Sequence, residues 1–144
     1  MDAKVFKNAI NDILGKMDFK KTKTFWIRSG KVVSEKIVFQ KSLYGNRYYF
    51  RPYYIINNLP LAKGFDGHVH LNPNLSDEEF NTLSVLCDLE YQIDNRERIS
   101  KLEKLLSNAL MNTQMDNLES LQKYARCLDM PILGIVQDYF AASI

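Results

Sequence analysis

Apolar residues at Phe6, Ile10, Ile13, Leu14 and Met17 recur at helical spacing and draw a single stripe, predicting a helix over residues 2–17. Asp2 is placed to cap its start, and Gly15 marks its fraying end. Residues 18–23 read as a polar connector that Phe19 anchors to the core. The period then changes to two. Thr24-Phe25-Trp26-Ile27-Arg28 is aromatic and β-branched, Ser29-Gly30-Lys31 is a turn, and residues 32–42 carry Val33, Ile37, Val38 and Phe39 as a long strand. Leu43-Tyr44-Gly45-Asn46 is a second turn, in which Gly45 can take a positive φ without steric cost. Residues 47–56 form a third strand, with Tyr48, Phe50 and Tyr54 on one parity and Tyr49, Tyr53 and Ile55 on the other. Pro52 has no N–H to give to a ladder, so this strand is expected to be an edge, or bulged, at that point.

Residues 57–67 are punctuated by Asn57-Asn58, Pro60, Gly64 and Gly67 and read as a loop or lid. His68 to Leu71 is a candidate fourth short strand. From residue 75 the period returns to 3.6. Ser76 with Glu79 three residues on forms a capping box, and Leu75 with Phe80 a hydrophobic staple. A second helix starts at Asp94, with Glu97 in the box position, and carries Ile99, Leu102, Leu105, Leu106, Ala109 and Leu110. A third runs from about Asp116 through Leu118, Leu121, Tyr124, Ala125 and Leu128. Pro131 suits the first turn of a last helix bearing Leu133, Val136, Tyr139 and Phe140. This order predicts one α+β domain over residues 1–144: an N-terminal helix, an antiparallel meander of three or four strands, and C-terminal helices packed on one face.

Composition adds little to that picture until charge is divided along the chain. The 144 residues are 46% hydrophobic and 25% charged, which is ordinary for a folded domain. Residues 1–71 hold 13 Lys and Arg against 5 Asp and Glu, whereas residues 72–144 hold 6 against 12. A basic half implies either an anionic partner or acidic helices lying beside a basic sheet within one domain. The opening residues contain no apolar signal segment and no window suits a membrane helix, so a cytoplasmic protein is expected. Cys87 and Cys127 both fall in apolar-periodic stretches, which predicts buried free thiols in a reducing compartment.

Catalytic signatures are few. His68 and His70, at i and i+2 on a strand, share a face that a metal site can use, with Asp66, Asp77 or a carboxylate elsewhere as a third ligand. The chain holds no HExxH, no CxxC, no GxSxG elbow, no GxGxxG and no Walker lysine. Asp77, Glu78, Glu79 and Glu97 sit at helix starts, where the macrodipole and capping account for them. No catalytic residue, cofactor or metal is therefore expected, and an enzyme or metal-binding protein using His68 and His70 stands as a secondary alternative.

The stretch with most character runs from Lys36 to Arg51, where aromatic residues interleave with Lys36, Lys41, Arg47 and Arg51. Aromatics among cations on a sheet suit base stacking with phosphate neutralisation. Five tyrosines between residues 44 and 54 equally suit a protein contact, since tyrosine offers large area at low entropic cost. The reading favoured is a protein-binding surface around Tyr44, Arg47, Tyr49 and Arg51, with a single-stranded nucleic-acid-binding module as the alternative.

Gln40-Lys41-Ser42 followed by Tyr44-Gly45-Asn46-Arg47-Tyr48-Tyr49 resembles the hairpin of small bacterial proteins grouped as domain-of-unknown-function family 4304. The resemblance extends to the helix ending at Gly15 to Phe19-Lys20-Lys21, to the Phe25-Trp26 strand, and to the helix entered through Asp88-Leu89-Glu90 with Arg96, Arg98 and Leu102. It covers most of residues 4–128 and departs from the family pattern at Arg51-Pro52. It implies a small cytoplasmic α+β protein without assigned chemistry. By analogy of size and build with immunity proteins, it also implies an inhibitor of a bacterial toxin.

Overall fold

Five strands, paired in chain order, make one antiparallel sheet: β1 (Lys20–Thr22), β2 (Phe25–Arg28), β3 (Val33–Lys41), β4 (Tyr48–Ile56) and β5 (Val69–His70). The computed structural model describes residues 1–128, 132 and 134–143. Helix α1 (Ala3–Gly15) precedes the sheet, and α2 (Asp77–Leu86), α3 (Asn95–Ala109), α4 (Leu118–Cys127) and α5 (Gly134–Ser143) follow it. The architecture is the α+β order expected, with a longer meander.

Helix starts follow their capping chemistry. The Asp2 carboxylate accepts the Lys4 and Val5 N–H groups at the head of α1. Ser76 and Glu79 complete a reciprocal capping box at the head of α2. At α3 the cap is Asp94 alone, and Glu97 pairs instead with Lys101 one turn on, at 3.0 Å. Phe6, Ile10 and Leu14 of α1 are fully buried, each worth about 2 kcal/mol of apolar transfer. Phe80 remains exposed.

Strand parity assigns the two sheet faces. Trp26 opposes Ile37, and Tyr54 and Ile56 oppose Glu35 and Val33, which puts them all on the inner face under the helices. Phe6 of α1 stacks on Tyr48 at 5.1 Å, and Tyr124 of α4 meets Tyr54 edge-on at 5.2 Å. Phe25, Lys36, Val38, Tyr49, Arg51, Tyr53 and His70 occupy the opposite parity on the outer face.

Four local expectations are corrected. Residues 20–22 are a strand, not a connector; all three are exposed, so no alternation marked them, and pairing with β2 holds them. Gly45 does not take a positive φ; in that hairpin Ser42 donates to Arg47 and the tip closes without a left-handed residue. Pro52 does not make β4 an edge strand, since β4 lies between β3 and β5. Leu71 N–H donates to the Pro52 carbonyl, the reciprocal bond is the one proline lacks, and the β5 ladder stops there. Cys127 is exposed, unlike buried Cys87, because it falls at the solvent side of the last turn of α4. The expectations for Pro131 and Leu133 lie outside the described residues; Val136 and Phe140 of α5 are buried as expected.

Candidate functional site

A cleft of about 530 Å³ opens at one end of the inner face, between α1, the β1–β2 turn and the far end of β3. That volume is within the range of small-ligand and side-chain pockets. Its floor is aromatic: Phe6, Trp26, Phe39 and Tyr48. Trp26 meets Phe39 edge-on at 5.9 Å, and its indole N–H donates to Asn11 of α1 at 3.2 Å, which fixes the ring. The rim carries Lys7, Lys21, Lys23 and Lys41, and no acidic residue lines the cleft. The ammonium groups of Lys7 and Lys41 lie 5.8 and 5.4 Å from the Tyr48 ring centre, and that of Lys21 lies 5.7 Å from Trp26. Lys41 also donates to the Gly45 carbonyl and the Asn46 side chain. Among the described residues, none of the four forms an ion pair. Lys23 sits at φ 49° in the two-residue β1–β2 turn, a left-handed backbone that lysine adopts at a cost.

Elsewhere two arginines, Arg28 and Arg98, are enclosed by partners from their own chain. Arg28 donates to Glu35 at 2.8 Å, to the Met17 and Leu110 carbonyls, and to Thr113, and its guanidinium lies over the Phe19 ring at 4.6 Å. The Thr113 hydroxyl donates to the other Glu35 oxygen, and the Tyr54 hydroxyl donates to the Thr113 carbonyl. Burial raises the Tyr54 hydroxyl well above the usual tyrosine range, with Tyr124 and Glu35 adding to the effect. This knot fastens the sheet to the segment after α3. Arg98 of α3 is buried and donates to the Leu86, Asp88 and Tyr91 carbonyls, clamping the turn after α2; its Nε has no partner among the described residues.

Of the four residues singled out on the hairpin, Arg47, Tyr49 and Arg51 line one small cleft of about 130 Å³ beside Phe80 and Leu83 of α2, and Tyr44 stands apart from it. Tyr44 stands at the tip, 96% exposed, beside Leu43 at 91%. Arg47 pairs with Asp88 at 3.1 Å and bridges to it through the main chain, so it ties the hairpin to the segment after α2. Tyr49 and Arg51 lie together on the outer face, with the guanidinium 5.6 Å from the ring centre. The floor and rim of the cleft went unrecognised as a unit. Its sequence signal is the run Lys20-Lys21-Thr22-Lys23 directly before Phe25-Trp26.

His68 and His70 serve different ends. His68 Nδ1 accepts the Ile56 N–H at 2.9 Å, and Nε2 lies 3.3 Å from the Pro60 carbonyl, so both ring nitrogens hold residues 57–67 against β4. Burial pushes the His68 imidazole below its ordinary range, opposed by the Pro60 and Leu59 carbonyls. His70 is exposed and packs on Tyr53 at 5.1 Å. Gly67 passes so close to Tyr53 that a Cβ there would lie 2.3 Å from the tyrosine Cβ, which requires glycine at this crossing. Among the described residues, no group of three or more His, Cys, Asp or Glu is placed to hold a metal ion. Burial raises the Cys87 thiol to about 12, with Arg98 opposing, and a thiol so placed is a poor nucleophile. No helix among the described residues is long and apolar enough to cross a membrane.

No family model matches the chain, and no solved structure matches it. Among curated proteins, the nucleolar MIF4G domain-containing protein 1 of Homo sapiens is 32% identical over 83 residues, 58% of this chain. The chain spans 9% of that protein's length. A match over so small a part of the relative carries neither its family nor its activity to this chain.

Proposed function

We propose that the chain is a non-enzymatic protein-binding domain whose contact element is the β3–β4 hairpin. The observation that supports this most is the tip, where Leu43 and Tyr44 are adjacent and almost wholly exposed. Together they place apolar area at a paired hairpin tip where a partner can cover it, and tyrosine is a favoured interface anchor. The resemblance to domain-of-unknown-function family 4304 supplies the specific form of the proposal, an immunity-type inhibitor of a bacterial toxin. A toxin gene beside the coding sequence, and inhibition of that toxin by the purified chain, is the test of this form.

The test of the broader reading is photocrosslinking in cells of the source organism. A benzophenone amino acid in place of Tyr44 is expected to give discrete protein adducts, while the same group at exposed Ser107 of α3 gives none. Adducts that disappear with nuclease treatment instead would establish the single-stranded nucleic-acid alternative.

A further inference from the structure

We propose that the lysine-rimmed cleft receives an extended acidic segment of a partner protein, added as a strand to the open end of β3. This rests on the protein-binding reading above and narrows it to one surface and one chemistry.

The backbone supplies the first argument. Register pairing of β2 with β3 ends at Phe25–Val38, whereas β4 accompanies β3 as far as Lys41. The last stretch of β3 therefore has a strand on one side only. Ser42 N–H donates across the hairpin to Arg47, so by alternation the main-chain N–H and C=O of Lys41 point away from β4, toward the cleft. Backbone groups left open at a strand end are a template for a further strand.

The side chains supply the second. An added strand directs alternate side chains to one face at about 7 Å intervals, and the aromatic floor lies on the inner face, where an apolar residue of that strand would settle. Charge supplies the third. Four lysines that, among the described residues, have no ion pair and no acidic neighbour in the lining complement Asp or Glu flanking that apolar residue. Nucleic acid fits less well. Phe6 and Tyr48 are buried and stacked on each other, Trp26 is buried edge-on against Phe39, and lysine ammonium groups lie near the Tyr48 and Trp26 rings, so of the floor only half-buried Phe39 offers area to a base.

Fluorescence anisotropy of the whole chain tests the inference, with a labelled nine-residue peptide alternating Glu with Val and Leu as the probe. The peptide is expected to bind saturably, and its Lys-for-Glu counterpart not to bind. Methylating alternate backbone nitrogens of the peptide removes strand pairing without touching the protein, and is expected to weaken binding at least tenfold. Lys21→Glu with Lys23→Glu, both exposed, is expected to weaken it at least tenfold. Lys31→Glu with Lys63→Glu, which changes net charge equally away from the cleft, is expected to leave it within twofold. Equal binding of the methylated peptide, or equal loss in the two charge-reversed pairs, overturns the inference. Displacement of the peptide by dodecanoate or by oligothymidylate at lower concentration than unlabelled peptide overturns it in favour of a small amphiphile or a nucleic acid. Tyr44 protein adducts that persist unchanged in the Lys21→Glu, Lys23→Glu chain also overturn it, and leave the protein-binding reading standing. If no protein adduct forms at Tyr44 but peptide binding follows the pattern above, the hairpin reading fails and the cleft assignment holds.

Discussion

The same sheet carries two groups of cations that the chain treats in opposite ways. Arg28 is enclosed, and Glu35, Thr113 and two carbonyls meet its donors. Lys7, Lys21 and Lys41 stand around the cleft with aromatic rings beneath them, and among the described residues neither they nor Lys23 pair with a carboxylate. The charge division along the sequence allowed two readings: acidic helices neutralising the basic half, or an anionic partner. The fold bears on the first alone, and the second belongs to the proposal for the cleft. Within the fold, neutralisation is pairwise and local, as at Arg28–Glu35 and Arg47–Asp88. At the cleft it is absent, and a surplus of positive charge is left beside apolar surface. A group satisfied within the chain is explained by the fold, whereas one left unsatisfied beside a cavity is where recognition chemistry can operate.

Breaking the enclosed cluster should have the largest effect. Glu35→Ala leaves the Arg28 guanidinium without its carboxylate in a site nearly closed to water, and is expected to cost about 3–5 kcal/mol in denaturant unfolding. Charge reversal at Lys21 and Lys23 changes stability by less than about 0.5 kcal/mol, as for ordinary surface positions. Equal losses at the two places would remove the contrast. Arg98→Ala comes next. It strands three carbonyls and leaves a cavity between α2 and α3, for an expected loss of about 3 kcal/mol. Arg98→Lys is expected to recover only part, since an ammonium cannot reach carbonyls so spread with a planar fork.

These energies fall where the sequence was least legible. The strands from Phe25 to Ile56, the burial parity of β4 and the caps at Asp2, Ser76 and Asp94 were readable, because each depends on residues within a few positions. β1 was not readable, because its three residues are polar and exposed, and pairing with β2 alone defines it. The partners of Arg28 come from residues 17, 35, 110 and 113, and the cleft draws on α1, the β1–β2 turn and β3. Neither has a spacing to detect. The hairpin residues were recognised individually, but the tie from Arg47 to Asp88 spans distant positions, and Tyr49 with Arg51 faces away from the lysine-rimmed cleft. His68 and His70, a pair by spacing, are separated by what each ring touches.

A smaller effect sharpens the view of the cleft rim. Lys23 holds a left-handed backbone at φ 49°, which costs an L-residue about 1–2 kcal/mol relative to glycine. Lys23→Gly is expected to stabilise the folded chain by up to about 1 kcal/mol, glycine's greater freedom when unfolded offsetting part of the relief. If that residue is held there for binding, the same change weakens the acidic peptide while raising the melting temperature. A gain in both would show that Lys23 contributes nothing to recognition.

The smallest effect concerns the latch at His68, and its sign follows from which ring nitrogen is used. Nδ1 accepts the Ile56 N–H and so carries no proton, while Nε2 faces the Pro60 carbonyl. Protonating the ring removes the acceptor and places a charge in a buried site, so the folded chain holds the neutral form below its ordinary pKa. In the unfolded chain the imidazole titrates near the usual value of about 6.5. Because the folded pKa is the lower, the contribution of neutral His68 is complete above that unfolded value and is lost as pH falls through the folded one. The expected result is faster release of residues 57–67 from β4 on acidification, seen as faster hydrogen exchange at the Ile56 amide between pH 7 and pH 5 after correction for intrinsic rates. Neither the partners of Arg28 nor the lining of the cleft includes a histidine, so the amides around Arg28 and the affinity of the cleft for the acidic peptide at constant ionic strength should change far less. Exchange at Ile56 that follows the intrinsic rate alone, or that accelerates equally in a His68→Gln chain, would remove His68 as the latch and leave the loop held by its packing on Tyr53.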